Sequence, residues 1–356
     1  MKHPYTCYKE ILTQRGAWEE TVEVVLSHSS QIRSFFQAAQ PGQVIFAGCT
    51  SPLYAGNAAA VYWQSALGIP CRAVPCSELV QFPSAYYADQ PGKPILVVLS
   101  RSGKTTETLW AVQEFERRYP GRILYIGCTP GSELEKLAHL SLLIPKGAEE
   151  TLPQTRSFSA MYLAALLSGA LVSQQDEIME MLKHAPQLVE PVIRSTEPII
   201  ARLFEKRVLR NIFYLGSGPL FGIAQEAALK MMEMSISETM CFSFLESRHG
   251  PKSLINDQSL VVGLYSHAGL NLEAQLMEEL TLKHLAMTVA LLPDPGWTSG
   301  QVTHKLPVNS SWPDSILGLS YLPAIQLLGY YRALANGVDP DTPRNLTAYI
   351  EIAAAS

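Results

Sequence analysis

The chain has 356 residues, of which 47% are hydrophobic and 17% charged, with a formal net charge of -5. That size suggests two domains with well-formed cores. The acidic balance, with Arg117-Arg118 as the densest basic pair, gives no reason to expect a nucleic-acid partner.

Residues 1–10 carry no apolar core after their basic start, so a signal peptide is not expected. Residues 160–172 are apolar but too short for a comfortable membrane span, and 316–335 is interrupted by Pro323, Gln326 and Arg332. Both read as buried helices, and no membrane partner is expected. The six Cys form no CxxC pair and have no His at zinc-ligand spacing. Cys71 and Cys76, flanking a short strand-like segment, are the nearest approach to a metal pair. No metal or cofactor is expected, and the cysteine usage fits a reducing cytoplasm.

Residues 1–42 read as an introductory helical segment, with Ile11, Trp18, Val22, Val25 and Ile32 at roughly helical spacing and Pro41-Gly42 as the stop. A first strand over 43–48 runs through Cys49-Thr50-Ser51 into a helix over 55–67, which Gly68-Ile-Pro70 ends. Further strands fall at 71–75, 94–99, 122–127 and 140–145, with helical stretches at 78–82, 106–118 and 131–138. Strands alternating with helices predict an α/β fold with a parallel sheet covered on both faces. A long helical stretch, 156–205, follows, with a break near Pro186 and Pro191.

The pattern then restarts. A strand at 211–216 resembles 43–48, a helix over 220–236 follows, and strands at 258–265 and 286–292 match the third and fourth. Gly48 and Gly216 are 168 residues apart, and Ser100 and Ser266 are 166 apart. The near-constant offset points to one domain duplicated. The expected organisation is a helical segment at 1–42, a first domain at 43–185, and a second domain with a C-terminal tail at 186–356.

Between the third strand and the next helix lies Ser100-Arg-Ser-Gly-Lys-Thr105. Backbone N–H groups and the helix dipole favour an anion there. Ser100, Ser102 and Thr105 add hydroxyls, Arg101 and Lys104 add positive charge, and Gly103 lets the backbone turn. A phosphate is the natural guest; the plainer reading is a polar connection capped by Ser or Thr. Thr50 and Ser51 would open at the same edge of the sheet, beyond the carboxyl ends of the strands. The second copy has only Ser266-His-Ala-Gly269 at the matching place, so the first copy is expected to hold the phosphate.

The helix at 220–236 carries Glu226, Lys230 and Glu233 on one face. On spacing alone they are a solvent-facing salt-bridged stripe. The apolar remainder of the helix instead suggests partly buried carboxylates beside a lysine, candidates for acid–base work. His249 follows in Leu245-Glu-Ser-Arg-His-Gly-Pro-Lys-Ser253, where Arg248 and Lys252 suit a polyanionic ligand and the imidazole could shuttle a proton.

Ser100-Arg-Ser-Gly-Lys-Thr-Thr-Glu-Thr108 resembles the phosphosugar loop of the sugar isomerase (SIS) domain family. Glu226-Ala-Ala-Leu-Lys-Met-Met-Glu233, His249-Gly-Pro251 and Pro343-Arg-Asn-Leu346 are similar to the isomerase half of glucosamine-6-phosphate synthase. Arg248-His-Gly-Pro-Lys-Ser253 and Thr155-Arg-Ser-Phe-Ser159 look closer to the tagatose/galactosamine-6-phosphate isomerase-deaminase branch. The resemblance covers nearly the whole chain. It implies two tandem SIS domains, each a flavodoxin-like three-layer sandwich around a parallel five-stranded sheet.

It also implies roles. Thr50, Ser51, Ser100, Arg101, Ser102 and Thr105 would bind the sugar phosphate. His249 would open the sugar ring in the partner's site of a homodimer. Glu233 would move a proton between C1 and C2, and Lys230 would position the sugar hydroxyls. Two departures from the synthase are expected to matter. No glutaminase domain precedes the pair and Met1-Lys2 offers no N-terminal Cys, so glutamine-dependent synthesis is not expected. Ala348 stands where the synthase pattern has Lys, and the last Lys is Lys305, so no C-terminal Lys is expected to form a Schiff base. The expectation is therefore C–N cleavage of a 6-phosphorylated amino sugar or fructosamine-type adduct, coupled to aldose–ketose rearrangement. The alternatives are a plain phosphosugar isomerase and a non-catalytic sugar-phosphate sensor.

Overall fold

The computed structural model describes residues 3–87, 93–205, 208–294, 296–297, 300–308 and 310–352. Met1 and Lys2, which entered the reading of the N-terminus, lie outside them. In chain order the elements begin with α1 (Thr6–Leu12), α2 (Gln14–Ser27) and α3 (Ser29–Ala39). There follow β1 (Gln43–Gly48), α4 (Ser51–Leu67), β2 (Cys71–Pro75), α5 (Cys76–Gln81), α6 (Pro83–Tyr86), β3 (Pro94–Ser100) and α7 (Thr106–Arg118). Then come β4 (Ile123–Gly127), α8 (Glu133–Leu137), β5 (Leu140–Leu143), α9 (Arg156–Val172), α10 (Asp176–Lys183) and α11 (Val189–Leu203). The last are β6 (Asn211–Leu215), α12 (Pro219–Ser235), β7 (Glu238–Phe242), β8 (Ser259–Leu264), α13 (Leu270–Leu282), β9 (Met287–Leu292), β10 (His304–Pro307) and α14 (Asp314–Asn336).

The chain divides into two compact units, residues 13–186 with 345–356, and residues 1–12 with 187–344. Each holds one five-stranded, all-parallel sheet flanked by helices. The orders are β2-β1-β3-β4-β5 and β7-β6-β8-β9-β10, which are the same topology. The two expected tandem sheets are therefore present.

In the first unit β1, β3 and β4 are buried along their whole length, as a sheet covered on both faces requires. The α9 helix is buried from Ser157 to Leu171. Its backbone carbonyl at Ala165 accepts from Trp63 Nε1 at 2.8 Å, and Ser159 Oγ accepts from Trp18 Nε1 at 2.7 Å. Truncating either fully buried indole would cost about 3–5 kcal/mol. In the second unit α14 is buried from Ile316 to Tyr331 and packs along α12. Among the described residues no helix is long and apolar enough to cross a membrane.

The first twelve residues and the tail group away from the sheets they adjoin in sequence. The Asp341 carboxylate accepts from the Thr6 and Cys7 backbone N–H groups at 2.7 and 2.9 Å, capping α1. Glu197 on α11 accepts from the Tyr8 and Tyr331 hydroxyls at 2.6 and 2.8 Å. These bonds tie α1 to the unit of residues 187–344, whereas residues 13–42 lie with the first sheet.

Several element boundaries differ from the sequence expectation. The α4 helix starts at Ser51 because Pro52 fits a first helical turn, where its missing N–H is no loss. The stretch expected to run over 156–205 is three helices, with Gln174 at φ 57° closing the first. Pro191 sits in the first turn of α11 and does not break it. Two edge strands, β7 and β10, had no apolar run to announce them: β7 has no fully buried residue and β10 only Leu306.

Candidate active site

At the carboxyl end of β1 the chain must turn at once into α4. A Cβ on Gly48 would meet Leu53 N at 2.7 Å, so the turn closes only because that carbon is absent. Thr50 then takes φ 53° and ψ -113° as the α4 N-cap. Gly216 and Gly218 repeat both features 168 residues on, with Gly218 at φ 56° and ψ -129°. A threonine in this sparsely populated conformation stores backbone strain, which tends to gather at functional turns.

Next to that turn, between β3 and α7, lies a cleft lined by Cys49, Ser100, Arg101, Ser102, Thr105 and Thr108. Gln154 and Ala348 complete its wall. Thr105 is the N-cap of α7, yet its hydroxyl makes no capping hydrogen bond. The Thr105 hydroxyl is thus not spent on capping and stays available at a helix N-terminus. Gly103 N donates to Ser100 Oγ at 3.1 Å and Lys104 N donates to Ser102 Oγ at 3.3 Å. These bonds curl the loop. Thr50 and Ser51 do not line the cleft: Thr50 Oγ1 donates to Cys49 O at 2.8 Å, and Ser51 is buried in the first turn of α4.

Gly103 sits at φ 63°, and a Cβ there would meet Ser132 Cβ at 2.6 Å and Tyr125 Oη at 2.8 Å. Gly103→Ala combines left-handed strain with overpacking, and its expected cost is about 2–4 kcal/mol. Thermal unfolding should show the fall directly, and an unchanged melting temperature would mean the loop relaxes freely.

Arg101 departs from its expected role. It is 8% exposed, and its guanidinium donates to Thr151 O, Leu152 O and Ala348 O, each at 3.1 Å. It also pairs with the buried Glu149 carboxylate at 3.6 Å. The side chain borders the cleft, but its donors hold the 149–155 segment and the C-terminal tail. That tail continues over the loop: Thr106 N donates to Ile350 O at 3.1 Å, and Lys104 Nζ sits 5.7 Å above the Tyr349 ring.

In the other unit, α12 presents a second cluster. Lys230 and Glu226 are each 1% exposed, with Nζ 3.6 Å from Glu226 Oε1. Lys230 also donates to Glu233 in a short hydrogen bond, while the Glu233 side chain stays 17% exposed. The trio is therefore not a solvent-facing stripe: only Glu233 reaches the surface. Lys230 was expected to touch sugar hydroxyls, but its ammonium is enclosed between two carboxylates. His249 is exposed, on a turn held by its own N–H to Glu246 O at 3.0 Å. Arg248 and Lys252 do not stand ready for a polyanion, because Glu279 on α13 takes both, at 2.5 and 2.9 Å.

Comparison with known proteins finds a likeness over part of the sequence. Residues 38–171 match the SIS domain model. It is 26% identical over 361 residues to glutamine–fructose-6-phosphate aminotransferase [isomerizing] of Aeropyrum pernix. That alignment takes in 98% of this chain and 58% of the relative, so the chain spans little more than half the length of the curated relatives it matches. Among solved structures it is similar to tagatose-6-phosphate ketose/aldose isomerase from Escherichia coli, with a TM-score of 0.85, 24% identity and 96% of each chain covered. It is also similar to glucosamine-6-phosphate deaminase from Thermotoga maritima, with a TM-score of 0.71 and 24% identity over 93% of this chain and 99% of that one. These likenesses establish the SIS fold across nearly the whole chain.

The two SIS-type sheets differ at the matching strand end. After β8, Ser266 N and Oγ donate to Glu273 at 2.7 and 2.9 Å. His267 N and Ala268 N donate to Asp314 at 2.7 and 3.0 Å. Two carboxylates of the protein itself thus fill the place where an anion would sit. The sequence showed the loss of donors but not these occupants, which come from α13 and the start of α14.

Burial pushes the Glu273 carboxyl up to about 7, against the opposing effect of the Ser266 N–H and hydroxyl, with Asp314 raising it further. A carboxyl raised on folding binds its proton more tightly in the native state. Its stabilisation is full below the unfolded value near 4.5 and is lost as pH rises through 7. The unfolding free energy of the wild type should fall by about 3 kcal/mol more than that of Glu273→Gln between pH 5 and pH 8.5. Parallel denaturant titrations measure this, and identical slopes in the two proteins would refute it.

Proposed function

We propose that this SIS protein cleaves the C–N bond of a 6-phosphorylated amino sugar or fructosamine-type adduct, coupled to aldose–ketose rearrangement. The observation that carries the reading is the cleft at the α7 N-terminus, where Ser100, Ser102 and Thr105 converge and the cap hydroxyl is unspent. That is a phosphate cradle by its chemistry. The three similar proteins named above are named for 6-phosphorylated sugars, and they divide between isomerisation and transfer or removal of an amine.

In this reading the phosphate holds the sugar by an end remote from reaction, and that binding energy positions C1 and C2. Glu233 is the base that moves the proton between them through an enediol or enamine. Lys230 keeps the Glu233 carboxylate oriented. His249, supplied by the partner of a homodimer, opens the ring by acid–base transfer. Thr50, Ser51 and Arg101 shape the cradle from behind. The route asks for no cofactor, and six free thiols suit a reducing, cytoplasmic setting.

The test is incubation of the purified chain with a panel of 6-phosphorylated hexosamines and fructosamine adducts, following free amine and sugar phosphate together. Amine release from one member with loss of the parent compound is the expected result. Interconversion of aldose and ketose phosphates without amine would replace the reading by a plain isomerase. Binding with no reaction would replace it by a sensor.

A further inference from the structure

The strand pair β1 and β2 brings two thiols together beside the phosphate cleft. Gly48 pairs with Pro75 in the last rung of the ladder, so Cys49 and Cys76 each follow directly on that rung, Cys76 as the first residue of α5. Parallel neighbours lie about 5 Å apart, inside the Cα separation a disulfide accepts. Each thiol is the largest influence on the other's proton affinity, lowering it at Cys49 and raising it at Cys76. Thr108 Oγ1 lies 3.6 Å from Cys49 Sγ. Cys49 lines the cleft with Ser100, Ser102 and Thr105, whereas Cys76 is 1% exposed in the core behind it.

We propose that Cys49 and Cys76 are a peroxide-sensitive thiol pair whose disulfide disables the phosphate cleft. The effect on ligand rests on the phosphate reading of that cleft; formation of the bond does not. The chemistry divides the roles. Cys49 is the less buried partner, and its thiol is held below the usual value, chiefly by the neighbouring Cys76 thiol, with Thr108 lowering it further. The other thiols, Cys7, Cys71, Cys128 and Cys241, are all pushed up by burial. Thiolate character and access together select Cys49 as the nucleophile.

Cys49 sulfur attacks one oxygen of hydrogen peroxide, the O–O bond breaks, and the leaving hydroxide takes a proton to give water and a sulfenic acid. Cys76 sulfur then attacks Cys49 sulfur, and hydroxide leaves with the Cys76 proton as a second water. Two thiols lose two electrons and one peroxide is reduced to two waters. The Cys49 sulfur is drawn from Thr108 toward β2, and the Thr50-Ser51 turn moves with it. A phosphate seated in the cleft covers Cys49, so ligand and oxidant compete.

The test treats the full chain with hydrogen peroxide, with and without fructose 6-phosphate, and maps its peptides. A linked 49–76 peptide that dithiothreitol reverses and fructose 6-phosphate slows is expected. Cys76→Ala should instead trap a Cys49 sulfenic acid with dimedone, and Cys49→Ala should give neither product; melting curves confirm that both fold. Fructose 6-phosphate affinity should fall about tenfold on oxidation, the scale of one hydrogen bond to a charged group, and return on reduction. A Cys49 that stays reduced, a disulfide between other residues, or a 49–76 bond with unchanged affinity would each overturn the proposal. If reduced protein binds no sugar phosphate, the proposed function fails, and the peptide map still decides the thiol chemistry.

Discussion

Glu233→Gln is expected to lower kcat on the cleaved phosphosugar by about 10³-fold, the middle of the range for removing a positioned general base. Sugar-phosphate affinity should hold, because the cleft belongs to another set of residues. The substitution keeps the size of the side chain and leaves Lys230 still beside Glu226 at 3.6 Å. Its effect on folding should therefore be small: Glu233 is the partly exposed member of the trio. Steady-state kinetics with a melting curve makes the comparison, and KM separates loss of chemistry from loss of binding. Turnover at the wild-type rate would mean that another group moves the proton and that the Glu226-Lys230-Glu233 cluster is structural.

A loss of stability as large as that of either buried indole is expected at Glu149. Its carboxylate is fully buried and accepts from Thr155 N and Oγ1 at 2.6 Å each and from Arg156 N at 2.8 Å. Ser157 Oγ adds a short bond, and Arg101 pairs at 3.6 Å. One side chain thus satisfies the N-terminal N–H groups of α9 and balances a buried guanidinium. Glu149→Ala leaves the α9 donors and the Arg101 charge uncompensated together, a cost of about 3–5 kcal/mol. For a unit of this size the melting temperature should drop by roughly 10 °C. Sugar-phosphate binding should weaken too, because Arg101 also carries the Ala348 contact. Calorimetry on Glu149→Ala and Glu149→Gln tests both points; a shift of only a degree or two in the alanine variant would show that water replaces the carboxylate.

The sequence by itself determined the repeating architecture and the location of the hydroxyl-rich loop after β3. Apolar runs such as Ile95–Leu99 cannot be solvated on either face, so they must be central strands. The hydroxyls, glycine and cations between such a strand and a helix could be read directly from residues 100–105. The 168-residue repeat was legible because the strand-to-helix turn depends on glycine for steric reasons, and it recurs at Gly48 and Gly216. The one-face spacing of Glu226, Lys230 and Glu233 followed from helical periodicity, but their depth did not.

Tertiary structure alone decided where charge is spent. Arg101, Arg248 and Lys252 looked like ligand cations because a sequence does not reveal which distant carboxylate or carbonyl reaches them. Glu149, Ala348 and Glu279 arrive from elsewhere in the chain and take them. The same holds for Glu273 and Asp314, which occupy the second strand end, and for Cys49 and Cys76, which are 27 positions apart yet follow one rung of a ladder. The strands β7 and β10 belong here as well: β7 has no fully buried residue and β10 only Leu306, so neither carries the buried run that marks the central strands.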